Sequence, residues 1–465
     1  MKLNILLNIP DVFKQKAIYT IENIFNSLSV DKVNIITDLN TPFTLKDINI
    51  LYTYEDYDLP KKIHNLDKLV VVFLRIETVS FFLKIKKYDI NNINYVHGVP
   101  CLFPSKSNGS FGFDIFAACF YFLSCWQEHA IKKYDNKDRI PLNQTIQYKL
   151  KIIRTPIVNQ YLNLFINYIL HITGKKIFFK KIYSNSNVVL LSHDIDHIDW
   201  PLSNYLKRLR IFLPKQLFNT KDLFGILYNL KNKRKIFPLI KNIEKKHDFV
   251  STYFFLSDYP VKVENSLEGL KFLFCDQNNE VGHHISDKAI FDSSLKDDLK
   301  KFRGNLNNSY GERVHTLRFN VNLLFKKLDK YKYLYDSSLL FAEDLGYRTG
   351  FSYPHYIYDI DNDNAFKTLA INPNIMETTV FENKYLGMNE IDGFKEIKNF
   401  IKKNKRHNGI LSILFHHSFF WLNYNTRIKL YKDLLKYLRE NDFISLTHYD
   451  IYNWYNNNSS IIEIK

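Results

Sequence analysis

Apolar residues in this chain come in short runs broken by polar turns, and the runs switch between two periods. Residues 3–9, 33–36, 48–52 and 69–73 are short apolar runs that read as strands, whereas 13–28 repeats its apolar positions at helical spacing. That alternation predicts a small α/β layer. Residues 114–129 (DIFAACFYFLSCWQEH) and 156–172 read as two further helices, apolar enough to be buried. Around 180–187 the chain turns polar, and from Val188 a second alternating series begins. Its strands fall at 188–191, 251–256, 314–318, 411–415 and 443–447, with helices such as 394–405 and 427–440 between them. A chain of 465 residues exceeds one ordinary core. The expected division is an amino-terminal α/β accessory domain, 1–186, followed by a second α/β domain, 187–465.

Charge adds partners without changing the fold class. With 64 Lys and Arg against 48 Asp and Glu, the net charge of +16 admits acidic glycans, anionic lipid or nucleic acid. No nucleic-acid motif accompanies it, so no nucleic acid is expected. The most basic stretch is an insertion at 204–235, with nine Lys or Arg, the single acid Asp222, and Leu, Ile and Phe interleaved. It reads as a solvated helical insertion, or as a segment lying peripherally on an anionic membrane. Cys101, Cys119, Cys125 and Cys275 show neither a CxxC pair nor a disulfide framework and are expected to be reduced and mostly buried. Asn4, Asn8, Pro10 and Asp11 interrupt the first apolar stretch, and no charge-free run is long enough to span a bilayer. The expectation is a cytoplasmic protein, peripheral at the inner membrane if 204–235 binds lipid.

The candidate chemistry sits at strand ends. In LSHDIDHID, directly behind the apolar run 188–191, Asp194 and Asp196 share one face of an extended strand while Ile195 turns inward. Two close carboxylates repel unless a cation or an arginine offsets them. A DxD alone reads more readily as a solvated acidic turn. Histidines shift the balance, because imidazole is a common ligand for zinc and similar ions. They occur in EVGHHIS (His283, His284), in RVHTLRF (His315, with Arg318) and in LSILFHHS (His416, His417). Several strand ends carrying Asp, His or Arg is how barrel-like α/β enzymes assemble a site.

In order and wording, LSHDIDH, STYFFL, EVGHHIS, RVHTLRF, YDSSLLFAEDLGYRTG and ILFHHSFF resemble the polysaccharide deacetylase family, the NodB-homology carbohydrate esterases. The likeness spans about 188–449 and is to a bacterial branch carrying an extra amino-terminal domain, one segment of which the 114–129 helix resembles. It implies a distorted (β/α) barrel, a divalent metal, zinc foremost, and removal of acetyl groups from a glycan or sugar substrate. Asp194 would be the catalytic base, Asp196 a metal ligand, His284 the first metal histidine with His283 as alternate, and Arg318 the arginine holding the base. His416 would be the general acid with His417 as alternate, and Asp336 would orient it. Arg348 and Tyr353 would lie near substrate. The family's second metal histidine is expected where this chain has Lys288, a poor ligand when protonated. The resemblance leaves His315 as the candidate replacement.

The reaction implied is metal-assisted hydrolysis of an acetamide, in cell-envelope or exopolysaccharide synthesis. An O-acetyl ester or a non-sugar amide would need almost the same site. A non-catalytic glycan-binding or scaffold module is a different class of reading, and Lys288 is the feature that favours it.

Overall fold

The computed structural model describes residues 1–38, 47–54, 69–105, 109–183, 186–196, 236–256, 278–305, 311–407, 409–421 and 424–465. Four strands open the chain: Lys2–Asn8 (β1), Lys32–Ile36 (β2), Ile48–Tyr54 (β3) and Leu69–Leu74 (β4). After a short hairpin, Asn94–Val96 (β5) and Val99–Cys101 (β6), the chain reaches Asn187–Ile195 (β7), Ser251–Leu256 (β8), Glu280–Ile285 (β9), Gly311–Val314 (β10) and Tyr335–Asp336 (β11). Then come His355–Asp359 (β12), Asn364–Ala370 (β13), Ile375–Met376 (β14), Ile410–His416 (β15), Phe443–Ser445 (β16) and Ile461–Ile464 (β17).

Two parallel sheets organise them. The first has the order β17-β2-β1-β3-β4. Its side chains are almost wholly buried, as expected of a parallel sheet covered on both faces. Its buried asparagines bond one another: Asn34 donates to Asn4 at 2.8 Å and Asn4 donates to Asn49 at 3.0 Å across the three central strands. The second sheet runs β12-β13-β11-β10-β9-β8-β7-β15-β14, with β16 also on β7, and only β12 pairs antiparallel. Among the described residues β12 and β14 do not pair with each other, so the sheet is a run of mostly parallel strands in which the closure of the expected barrel is not seen.

Three sequence expectations change in the structure. The linear boundary at 186 is crossed, because β17 at the carboxyl end is the edge strand of the first sheet, paired with β2. The first sheet's core also takes in Phe351, Tyr353 and Tyr358 from the second half. The helix read at 114–129 is two, Ile115–Leu123 and Trp126–Ala130, because Cys125 adopts the left-handed conformation (φ 53°) between them. The strand read at 314–318 ends at Val314 and gives way to a single tight turn, His315–Leu317. The three described cysteines are buried and unbridged, whereas Cys275 and the basic insertion 204–235 lie outside the described residues. No described helix is long and apolar enough to cross a membrane.

The seam between the halves includes a buried ion pair. Arg348 donates through Nε and Nη2 to the two oxygens of Glu128 at 2.8 and 2.7 Å, and through Nη1 to the Leu340 carbonyl, with Phe319 and Phe341 against its guanidinium. Its side chain is 3% exposed. Arg348→Met leaves the Glu128 carboxylate buried without its partner and should cost about 3–5 kcal/mol of stability, read from the midpoint of urea unfolding. An unchanged midpoint would show that the seam does not depend on this pair.

Candidate metal centre and its flanking acid and base

All the strands that carry candidate chemistry are parallel, so their carboxyl ends fall on one edge of the second sheet. Register then brings side chains together in pairs. Asp194 on β7 lies beside His416 on β15, and His284 on β9 lies beside Arg313 on β10. Alternation decides between neighbours. His284 faces the site, while His283 turns away to stack on Phe302 and bond the Tyr333 hydroxyl at 2.6 Å. His416 faces Asp194, while His417 is buried with Nδ1 3.2 Å from the Asp194 carbonyl.

Asp194 is anchored by a fully buried arginine. Arg313 Nη1 donates to Asp194 Oδ1 at 2.8 Å and to Ser192 Oγ at 3.0 Å, while Nε and Nη2 reach the Ser337 carbonyl and hydroxyl, both at 2.8 Å. Its guanidinium lies 4.2 Å above the Phe254 ring. That ring occupies the space over Gly282, where a Cβ would stand 2.5 Å from it, so the glycine in EVGHHIS is required by this packing. Burial would raise the Asp194 pKa. The Arg313 charge, with His284 and His416, outweighs it and holds the carboxyl below its ordinary value. The Oδ2 atom, 3.7 Å from His284 Nε2 and 3.9 Å from His416 Nε2, remains directed into the site.

Arg318, the arginine expected in this role, stands elsewhere. It pairs with Asp138, lies 3.9 Å from Asp287 and covers the Phe291 ring. The cause is the early end of β10: Thr316 (φ 58°) and Leu317 (φ 56°) both adopt the left-handed conformation, and the chain swings away before residue 318. Such conformations cost non-glycine residues on the order of 1 kcal/mol or more each, so the surroundings must enforce them.

The same turn carries His315 to the site. Asp196 Oδ1 lies 3.3 Å from His284 Nε2 and 3.8 Å from His315 Nε2. One ligand atom from each of the three lies within 4.8 Å of the other two. His284 Nδ1 is 2.9 Å from the Arg313 carbonyl, which can only accept, so Nδ1 carries a proton and Nε2 presents its lone pair unless doubly protonated. Asp196 Oδ1 and His284 Nε2 are buried with no hydrogen-bond partner among the described residues. Burial and the nearby His284 push His315 down to about 4, so it is neutral at pH 7 and also offers a lone pair. With His284 in its singly protonated form, three electron-pair donors converge on one point, and a single proton could bridge only one pair of them. The residues fit a divalent cation. Lys288, exposed on the helix Asp287–Phe291, is not one of the three.

His416 carries the opposite charge state. Its Nδ1 donates to Glu377 Oε1 at 2.8 Å. Burial would lower its pKa, but Glu377 and then Asp196 and Asp194 raise it to about 10, so it is protonated at neutral pH. Asp336, expected to orient this histidine, is instead the register partner of Glu312, with the Ser338 amide on its Oδ2. Sequence reasoning missed Glu377 because β14, the strand that delivers it, is two residues long and leaves no periodic signal. Arg348 and Tyr353 are buried in the seam, Tyr353 donating to the Lys180 carbonyl at 2.8 Å, so neither is placed as a substrate contact.

Residues 5–174 match the model of a family of unknown function (DUF7033). No curated protein matches the chain. Among solved structures it is similar to a candidate polysaccharide deacetylase from Mycobacterium smegmatis, with 12% identity and a TM-score of 0.40 over 60% of this chain and 94% of that one. It is also similar to Puue allantoinase, with 11% identity and a TM-score of 0.40 over the same shares. A third is the peptidoglycan deacetylase PdaC from Bacillus subtilis, with 14% identity and a TM-score of 0.29 over 59% of this chain and 93% of that one. Likenesses this loose do not establish a reaction for this chain, and its chemistry has to be argued from its own side chains.

Glu377→Gln removes the charge that raises His416. In metal-free protein, a histidine titration followed by NMR should show the His416 transition fall from about 10 toward the ordinary imidazole range. The stability this pairing contributes is present below the unfolded value near 6.5 and is lost as pH rises toward 10, so the variant should lose stability at pH 7 and little at pH 11. An unmoved transition would detach Glu377 from His416.

Proposed function

We propose that this chain is a divalent-metal-dependent hydrolase that removes acetyl groups, N-acetyl in preference, from a sugar or polysaccharide. The observation that carries the reading is the buried carboxylate Asp194, held ionised by Arg313 beside three converging ligand atoms and opposite a protonated histidine. Asp196, His284 and His315 would hold the metal, and their nitrogen and oxygen donors suit zinc. Bound there, the ion would polarise the acyl carbonyl and acidify a water.

The protein's own groups then divide the proton work. Asp194 Oδ2, the oxygen that Arg313 does not engage, takes the proton from water as the new C–O bond forms. His416, charged and steadied by Glu377, gives its Nε2 proton to the leaving nitrogen as the C–N bond breaks. Acetate and a free amine are the products. Access agrees with these roles: Arg313, Asp194 and His284 form a buried floor, whereas the Asp196, His416 and His315 side chains keep 18%, 19% and 29% of their surface. An acetylated glycan reaching this rim from solvent is the proposed partner, in envelope or exopolysaccharide synthesis. We further propose a cytoplasmic location, with 204–235 available for contact with an anionic membrane.

Asp194→Asn should lower acetate release by about 10²–10⁴-fold while metal content stays unchanged, whereas Asp196→Ala should lose the metal itself. Activity should fall as acid protonates Asp194 and again as pH rises toward the His416 value of about 10. Metal-loaded, unmutated protein that released no acyl group from a broad panel of N- and O-acetylated sugars would overturn deacetylation.

A further inference from the structure

The turn that presents His315 is gripped from outside by a loop of the first half of the chain. Residues 135–139 close on themselves: the Asp135 amide bonds the Arg139 carbonyl at 2.9 Å, and Asp135 Oδ1 accepts from the Lys137 and Arg139 amides at 2.8 and 2.9 Å. Asp135 Oδ2 also accepts a hydrogen bond from Arg139 Nε at 2.8 Å, which helps fix the direction of the guanidinium. Arg139 Nη1 then reaches the Thr316 carbonyl at 3.4 Å and the Tyr385 hydroxyl at 3.3 Å. One residue earlier in the loop, Asp138 pairs with Arg318. The loop therefore holds the His315–Leu317 turn at its middle and just beyond its end: one hold is on the left-handed Thr316 itself, and the two bracket the left-handed Leu317.

The loop itself is seated firmly. Ile131, Ile140, Leu142 and Ile153 bury against Phe341 of the second half, and the Leu142 amide bonds Glu343 at 3.1 Å. His315 is the most exposed of the three candidate ligands, and the turn it opens continues through two left-handed residues, so its position depends most on outside support.

We propose that the loop 135–139, through Arg139 and Asp138, positions His315 for the metal, so that the amino-terminal region completes the centre built on the second sheet. Arg139 is a positioning residue: it touches neither metal nor substrate and acts through the Thr316 carbonyl. This inference rests on the reading of His315 as a ligand, and the test separates the two.

Full-length Arg139→Ala, Asp138→Ala, His315→Ala and the double variant Arg139→Ala/His315→Ala are compared by competition of Zn²⁺ against a chromophoric chelator, with Co²⁺ absorption reporting ligand geometry. Arg139→Ala should weaken metal binding about 10-fold and alter the Co²⁺ spectrum. Arg139→Lys should recover part of the loss, and the double variant should match His315→Ala alone. If His315→Ala weakens binding while Arg139→Ala and Asp138→Ala do not, or if the two losses add, the loop does not act through His315 and the inference fails while the ligand reading stands. If His315→Ala itself changes nothing, the ligand reading fails and takes the inference with it. Should Arg139→Ala not fold, Asp138→Ala and Arg318→Ala open the other half of the clamp and are judged by the same measures.

Discussion

A buried carboxylate oxygen and an imidazole nitrogen face each other 3.3 Å apart at the head of the second sheet, and the backbone contact on the far side of the imidazole leaves that nitrogen's lone pair turned inward. Two lone pairs set against each other away from water are unfavourable unless positive charge lies between them. With His315 closing the third side, a divalent cation answers this constraint better than a proton. The arrangement of the neighbouring groups follows from it. The second aspartate, Asp194, stands outside this triad and is drawn the other way by Arg313, an arrangement consistent with the base role proposed for it.

Arg313 explains why the interior below the site is polar. A guanidinium with no exposed surface needs its donors occupied, and Asp194, Ser192 and Ser337 occupy them while Phe254 covers its face. The Ser337 hydroxyl is in turn 3.1 Å from His448 Nε2, and His448 Nδ1 is 2.9 Å from Thr252 Oγ1, so the network continues into the helix His448–Asn458. Charge placed this deeply is tolerable only when its donors find acceptors, and that requirement locks the rotamers of Asp194 and Arg313 together.

Much of this was legible in the chain. Apolar runs ending in Asp or His located β7 and β15, and a period of two selected Asp194 with Asp196, whereas EVGHHIS drew attention through its histidine pair without being read as the strand β9. The arginine was misread because periodicity cannot show where a strand stops. Extending β10 through Arg318 hid both the turn at Thr316 and Leu317 and the inward face of Arg313. Glu377 and β17 were missed for related reasons: the first follows a two-residue strand, and the second joins β2 across most of the chain's length. Long-range pairing and local strain are tertiary facts, and only local pattern is written in the order of residues.

X-ray absorption at the zinc edge, on full-length protein loaded with one equivalent and dialysed, tests the central claim most directly. The account predicts retained zinc with the multiple-scattering signature of two imidazoles and light oxygen or nitrogen donors at roughly 2.0–2.2 Å. Zinc lost from the folded protein on dialysis, or retained without imidazole scattering, would contradict it.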